Sequence, residues 1–177
     1  KLYFMIGLPT ETEEDLLGIA GIVQEIHRMG RRILKRSPQI NLSVSPFIPK
    51  PHTPFQWMGM ENEDILEEKF RFVLSHLKKY PSIRLKRDSL KRSISEGVFC
   101  RGDRKLSSVL HQAWESGARF DSWDDVFRFP TWEKTFVSEN LDYRDYLSEL
   151  DRQTVLPWDH IDTGLIKRHL IKELEMA

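Results

Sequence analysis

In MIGLPTETEEDLLGIAGIV (residues 5–23) an apolar segment meets a glycine, a proline and a cluster of acids before a helical pattern sets in. The run Leu2–Ile6 is continuously apolar, the pattern of a strand covered on both faces as in parallel sheets. From Glu13 to about Gly30, Leu16, Ala20, Val23 and Ile26 recur at helical spacing, joined by Leu17 and Ile19, with Gly30 as the expected stop. Gly7 ends the strand where the backbone must turn and where a ligand can approach without meeting a Cβ; Pro9 stiffens the loop. Thr10 with Glu13, or Thr12 with Asp15, has the spacing of a capping box, and Glu13, Glu14 and Asp15 sit where the helix dipole favours negative charge. The protein's own carboxylates thus fill the anion site at that helix start, so a phosphate is repelled there. Neither a GxGxxG segment nor a Walker lysine accompanies the loop. Two readings follow: a well-capped strand-to-helix turn and nothing more, or a loop at the carboxyl edge of a parallel sheet that recognises a neutral moiety such as a nucleoside.

Outward from this junction the alternation continues. Ile40–Ile48 is a second strand rich in β-branched and aromatic residues, followed by PFIPKPHTPFQW, whose Pro46, Pro49, Pro51 and Pro54 impose a stiff extended loop. Glu61–Tyr80 carries one apolar stripe of Ile65, Leu66, Phe70, Val73, Leu74 and Leu77, and Ile83–Lys86 is a short third strand. The order β, α, β, α, β predicts a parallel sheet with right-handed crossovers. Beyond Asp88 the alternation stops. Ser89–Phe99, Lys105–Ser116 and a last segment from about Thr163 read as helices. Trp123, Phe127, Phe129, Trp132 and Phe136, with Tyr143 and Tyr146 beyond them, supply aromatic residues, those from Trp123 to Phe136 forming the core of a helical tail.

Acidic and basic side chains balance at 27 each, so net charge favours no class of partner. A single cysteine, Cys100, excludes an internal disulfide and any multi-cysteine metal site. It fits a reducing compartment, and no apolar run reaches the length of a membrane span; a cytoplasmic protein with no membrane partner is expected. A chain whose first residues already read as a core strand is also expected to be a piece of something longer.

GLPTETEEDL resembles the G-x-P-x-E-T-x-E-D segment that follows the fifth strand of many radical S-adenosylmethionine enzymes. SPFIPKPHTPFQW is similar to the loop after the sixth strand in one family of that superfamily, which carries an N-terminal cobalamin-binding-like domain. ISEGVFCRGDRKLSSVLHQAWESGARFDSWDDVF and LPWDHIDTGLIK look like the carboxy-terminal extension of the same family, so the resemblance covers nearly the whole chain. It implies the C-terminal part of a partial (β/α) TIM-like barrel, about three parallel strands with helices in residues 1–87, and a mainly α-helical extension in 88–177. It further implies a [4Fe–4S] cluster, S-adenosylmethionine and, as an optional second cofactor, cobalamin. The family holds its cluster with Cys-x3-Cys-x2-Cys, and this chain has Cys100 alone. Three thiolates are needed to hold three irons and leave the fourth open. The expected partner is therefore the N-terminal remainder of the same chain, with no cofactor bound and no catalysis by these residues alone.

By the same resemblance Gly7, Leu8 and Pro9, with Ser45 and Phe47, line the adenosine side of the cofactor: close backbone approach, a hydroxyl, and an apolar or stacking surface. Phe47 has ordinary core as its rival role. Lys50, His52 and Thr53 lie on the stiff loop toward the substrate, with His52 a proton donor or polar anchor and Gln56 and Trp57 closing the loop onto the barrel. Asp103 suits the N-cap of a salt-bridged helix start. Asp159, His160 and Asp162 invite a metal, but Asp162 or Thr163 is more simply the cap of the last helix, so no metal site is expected. Lys86, Arg87, Lys91, Arg92, Arg101 and Arg104 admit a different function, a non-catalytic α/β binding module for RNA, with strongly salt-dependent binding. A part of a barrel also leaves a strand edge unpaired, so self-association is expected.

Overall fold

The computed structural model describes residues 1–123 and 125–177. Two compact units form, Lys1–Phe47 with Glu61–Asp88, and Ile48–Met60 with Ser89–Ala177. The proline-rich loop packs with the second unit, so the chain is not divided by a single cut.

The first unit is mixed α/β: β1 (Leu2–Ile6), α1 (Glu13–Leu34), β2 (Ile40–Pro46), α2 (Glu63–Leu77) and β3 (Ile83–Arg87). The three strands are parallel in the order β1-β2-β3, with Leu2 opposite Leu42 and Val44 opposite Arg87. The strands follow one another in a single direction and α1 packs against α2, so both helices lie on the same face, and the burial pattern agrees. Ile40, Leu42 and Val44 are buried while Asn41 is exposed and Ser43 and Ser45 are half-buried. The expectation that β1 is covered on both faces is corrected: Tyr3 is 68% and Met5 47% exposed, because both helices of this unit pack on the other side.

The capping box at α1 is the Thr12–Asp15 pair. The Asp15 carboxylate accepts from the Thr12 N–H at 2.8 Å, and the Thr12 hydroxyl accepts from the Asp15 N–H at 3.4 Å. Helix α1 runs past Gly30 and ends at Lys35 in the left-handed region (φ 55°). Gly30 is a packing position rather than a stop: a Cβ there would stand 2.7 Å from Pro38 Cγ. The buried stripe is Leu16, Ile19, Ala20, Val23 and His27, with Leu17 and Ile26 turned outward. His27 packs on Tyr80, ring centres 4.9 Å apart, and lies 3.1 Å from the Ser82 hydroxyl. Helix α2, capped by Asn62 accepting from the Asp64 N–H, buries Leu66, Phe70, Val73 and Leu77; Ile65 and Leu74 are exposed.

The second unit holds α3 (Leu90–Arg101), α4 (Leu106–Glu115), α5 (Phe129–Ser138) and α6 (Lys167–Met176), with 3-10 turns at Pro54–Trp57 and Tyr143–Leu147. One core cluster joins Ile94, Val98, Val109, Phe129, Trp132 and Phe136. A second joins Trp57, Leu156, Trp158 and Leu170. Most of the aromatic segment is core as expected, but Trp123 is 67% exposed. Among the described residues no helix is long and apolar enough to cross a membrane.

Candidate functional site

At the carboxyl edge of the sheet, Gly7 takes φ 78°, a region only glycine enters without strain. A Cβ there would stand 2.7 Å from Leu66 Cδ2 and 3.3 Å from Glu61 Cβ. The space its missing side chain leaves is thus filled by α2 rather than held open for a ligand. Its N–H donates to both carboxylate oxygens of Glu11, at 3.0 and 3.1 Å. Glu11, 5% exposed, pairs at 2.9 Å with the Lys69 ammonium, which also lies 3.4 Å from Glu61. The glutamate of GLPTE therefore folds back to lock the loop, and a nearly buried ion pair anchors it to α2. Leu8 and Pro9 beside Gly7 are half-buried, and Thr10 is exposed.

Ser45 follows on β2. Its hydroxyl donates to the Asp88 carboxylate at 2.6 Å, just past the end of β3. Phe47 continues the ladder, its N–H donating to the Ile6 carbonyl at 2.7 Å, and its side chain is buried. That places Phe47 in core packing at the sheet edge.

The helix-free face is ordered by the register. Asn41 stands beside Arg84, Tyr3 beside Ser43 and Lys86, and Met5 beside Ser45 and Asp88. Side chains two residues apart share a face, so all eight project to one side. Apart from Tyr3 and Met5 the set is polar or charged. Tyr3, Met5, Asn41, Arg84 and Lys86 are exposed, and the Lys1 ammonium lies 4.7 Å from the centre of the Tyr3 ring.

In the second unit Lys50 pairs with Glu96, and the Thr53 hydroxyl donates to the Lys50 carbonyl at 2.7 Å. His52 takes φ 58°, which a non-glycine residue holds only where its surroundings fix it. Here they do: the His52 N–H donates to Gln56 Oε1 at 3.0 Å, and that oxygen also accepts from Trp158 Nε1 at 2.7 Å. Gln56 and Trp57 close the loop onto the Leu150–Trp158 stretch, the Leu150 N–H donating to the Trp57 carbonyl at 2.8 Å. His52 and Gln56 line a recess of about 330 Å³ with Asp159, Asp162, Thr163 and Lys167. Asp159 accepts from the Leu156 N–H and Asp162 from the Gly164 N–H, so both serve local turns. Among the described residues no three His, Cys, Asp or Glu side chains are placed to hold a metal ion.

Arg101 corrects the sequence reading. It is 3% exposed, and its guanidinium donates to the Met58 and Ser148 carbonyls at 2.8 Å each. It therefore drops out of any basic face. Arg87 is held by Glu67 at 2.7 Å, and Lys91 lies 4.6 Å from the centre of the Phe129 ring. Arg104 and Lys105 border an open hollow of about 790 Å³ with Pro157 and His160. Asp103 accepts from the Lys105 N–H and from the Tyr146 hydroxyl, so it caps a turn, and among the described residues it makes none of the expected salt bridges. Burial, with Asp103 as second cause, pushes Tyr146 up to about 12. Cys100 is half-buried, its thiol donating to the Gly97 carbonyl at 3.4 Å, and burial pushes its pKa up.

Sequence patterns overlooked Glu11, Lys69 and Asp88. Glu11 had a local signal, an acid four residues after the turn glycine. Lys69 and Asp88 had none, since their partners lie far off along the chain.

No family model and no solved structure matches the chain. Over 111 residues, 62% of its length, it is 35% identical to an uncharacterized protein of Methanocaldococcus jannaschii, and the chain spans only 22% of that relative.

Proposed function

We propose that this chain is the distal part of a radical S-adenosylmethionine enzyme, a segment of (β/α) barrel wall followed by a helical extension. The observation that carries the reading is the helix-free sheet face. In a doubly wound sheet a second helix layer needs an apolar face to pack on. Asn41, Ser43, Ser45, Arg84 and Lys86 offer a polar one instead, which suits a wall facing an occupied lumen. A longer parent is in keeping with the much greater length of the archaeal relative. The motifs of the GLPTETEEDL loop, the proline-rich loop and the C-terminal segment give the reading its chemical class.

Within it, Leu8 and Pro9, with Ser45, stand on the adenosine side of S-adenosylmethionine, while Phe47, expected beside them, serves core packing at that edge instead. Gly7 shapes the loop rather than touching the ligand, because its N–H and its missing side chain are both taken up internally. Lys50, His52 and Thr53 belong to the substrate side. The residues of this chain do not fit a [4Fe–4S] cluster. They offer one thiol, half-buried and disfavoured as the thiolate that iron requires. Cluster ligands belong to the N-terminal remainder, and no chemical step is assigned to residues here. The test is the full-length parent, reconstituted anaerobically with iron and sulfide and given S-adenosylmethionine and dithionite. Formation of 5′-deoxyadenosine is expected. Its absence from a protein carrying a full cluster overturns the proposal.

A further inference from the structure

We infer that the helix-free face of the sheet binds a phosphorylated small molecule of the mononucleotide class, with its phosphate at Arg84 and Lys86 and its base on Tyr3. The inference rests on the reading of that face as a ligand-bearing wall, and names what it holds. Arg84 and Lys86 project from the same side of β3, both exposed, and no carboxylate among the described residues forms an ion pair with either. The neighbouring Arg87 pairs with Glu67 of α2, on the helix-bearing side, and Lys69 of α2 pairs with Glu11 and Glu61. Asp88, the carboxylate of this face, accepts the Ser45 hydroxyl, and Lys1 over Tyr3 adds a further cation. The face is therefore net positive, with two adjacent cations that lack a counter-charge, and a phosphate is the ligand group that takes donors from both.

The opposite end of the same row is aromatic. Tyr3 and Lys86 flank Ser43 from the two edge strands, about 10 Å apart across two strand spacings, a span that a nucleotide's base and phosphate can bridge. The Tyr3 ring is 68% exposed and available for stacking. Ser43 and Asn41 between them supply neutral donors and acceptors for a sugar or base edge. S-Adenosylmethionine carries no phosphate, so this ligand is separate from the proposed cofactor.

The experiment is a titration of the 177-residue chain with 5′-AMP, followed by amide chemical shifts, with adenosine and inorganic phosphate as comparison ligands. Saturable shifts are expected for residues 41–45 and 84–88, strongest with 5′-AMP. Arg84→Gln and Lys86→Gln, exposed positions whose variants are checked by thermal melt, should each weaken binding about tenfold, and Tyr3→Ala by at least about fivefold. No shift at these residues, or undiminished binding by the Arg84→Gln/Lys86→Gln double variant, overturns the inference. Equal affinity for inorganic phosphate overturns the nucleotide assignment, and tighter, salt-dependent binding of single-stranded RNA overturns it in favour of a nucleic acid. Binding of 5′-AMP here with no 5′-deoxyadenosine from the parent strikes the enzyme reading alone, and the reverse result strikes this one alone.

Discussion

Replacing Arg101 by methionine is expected to destabilise the second unit by about 2–4 kcal/mol. The side chain closes α3 and joins two separate stretches through two 2.8 Å hydrogen bonds, to the carbonyls of Met58 and Ser148. Methionine keeps the stem's packing but leaves both acceptors without a donor, at about 1–3 kcal/mol each. Against that loss stands a gain. Burial disfavours the charged guanidinium, lowering its pKa, and its Nε has no partner, so removing the charge recovers part of a desolvation cost. The difference sets the estimate below the simple sum.

Urea unfolding read by tryptophan fluorescence isolates the effect. Trp57, Trp114, Trp123, Trp132 and Trp158 all lie in the second unit, so the signal reports that unit and not the sheet. With a slope of about 1.5 kcal/mol per molar urea, a 3 kcal/mol loss lowers the midpoint by about 2 M. Arg101→Lys keeps the charge without the planar fork and should fall between wild type and methionine. A methionine variant within about 0.5 kcal/mol of wild type, or a lysine variant indistinguishable from arginine, would refute the argument that the forked pair of bonds holds these stretches together.

Glu11→Gln keeps an acceptor for the Gly7 N–H but strips Lys69 of its nearest counter-charge; a loss of about 2 kcal/mol is expected, read by hydrogen exchange of β1 and β2 amides because the first unit has no tryptophan. An unchanged exchange pattern would count against the Glu11–Lys69 anchor. Stability should also fall on the alkaline side. Tyr146 and Cys100 both have folded pKa values raised by burial, so their contribution is intact below the unfolded values of about 10 and 8.5 and is lost as pH rises through them, since the unfolded chain gives up those protons first. Tyr146→Phe should flatten the decline in melting temperature above pH about 10, and a melting temperature that rises there would contradict the sign.

What the sequence disclosed and what it withheld divide along one physical line. Order and periodicity are local, so the β, α, β, α, β succession, the Thr-led start of α1 and the apolar stripe of α2 could be expected before any coordinates. Facing is not local. Leu2–Ile6 is apolar at every position, and nothing in the run distinguishes Leu2 and Phe4 from Tyr3 and Met5, yet the register with β2 divides them between two faces. Roles decided by distant partners were equally hidden. Gly30 resembled a stop until Pro38 returned against it, and Arg101 resembled a surface cation until the carbonyls of Met58 and Ser148 came to it. The loop that opened the question shows both sides at once. Glycine, proline and acids marked a turn at a strand end, and that much was local. The glutamate turning back onto Gly7 is what makes this turn rigid, and its hold on α2 depends on a lysine 58 positions further along the chain. A loop with its own amide already satisfied in this way has no spare donor to offer from Gly7.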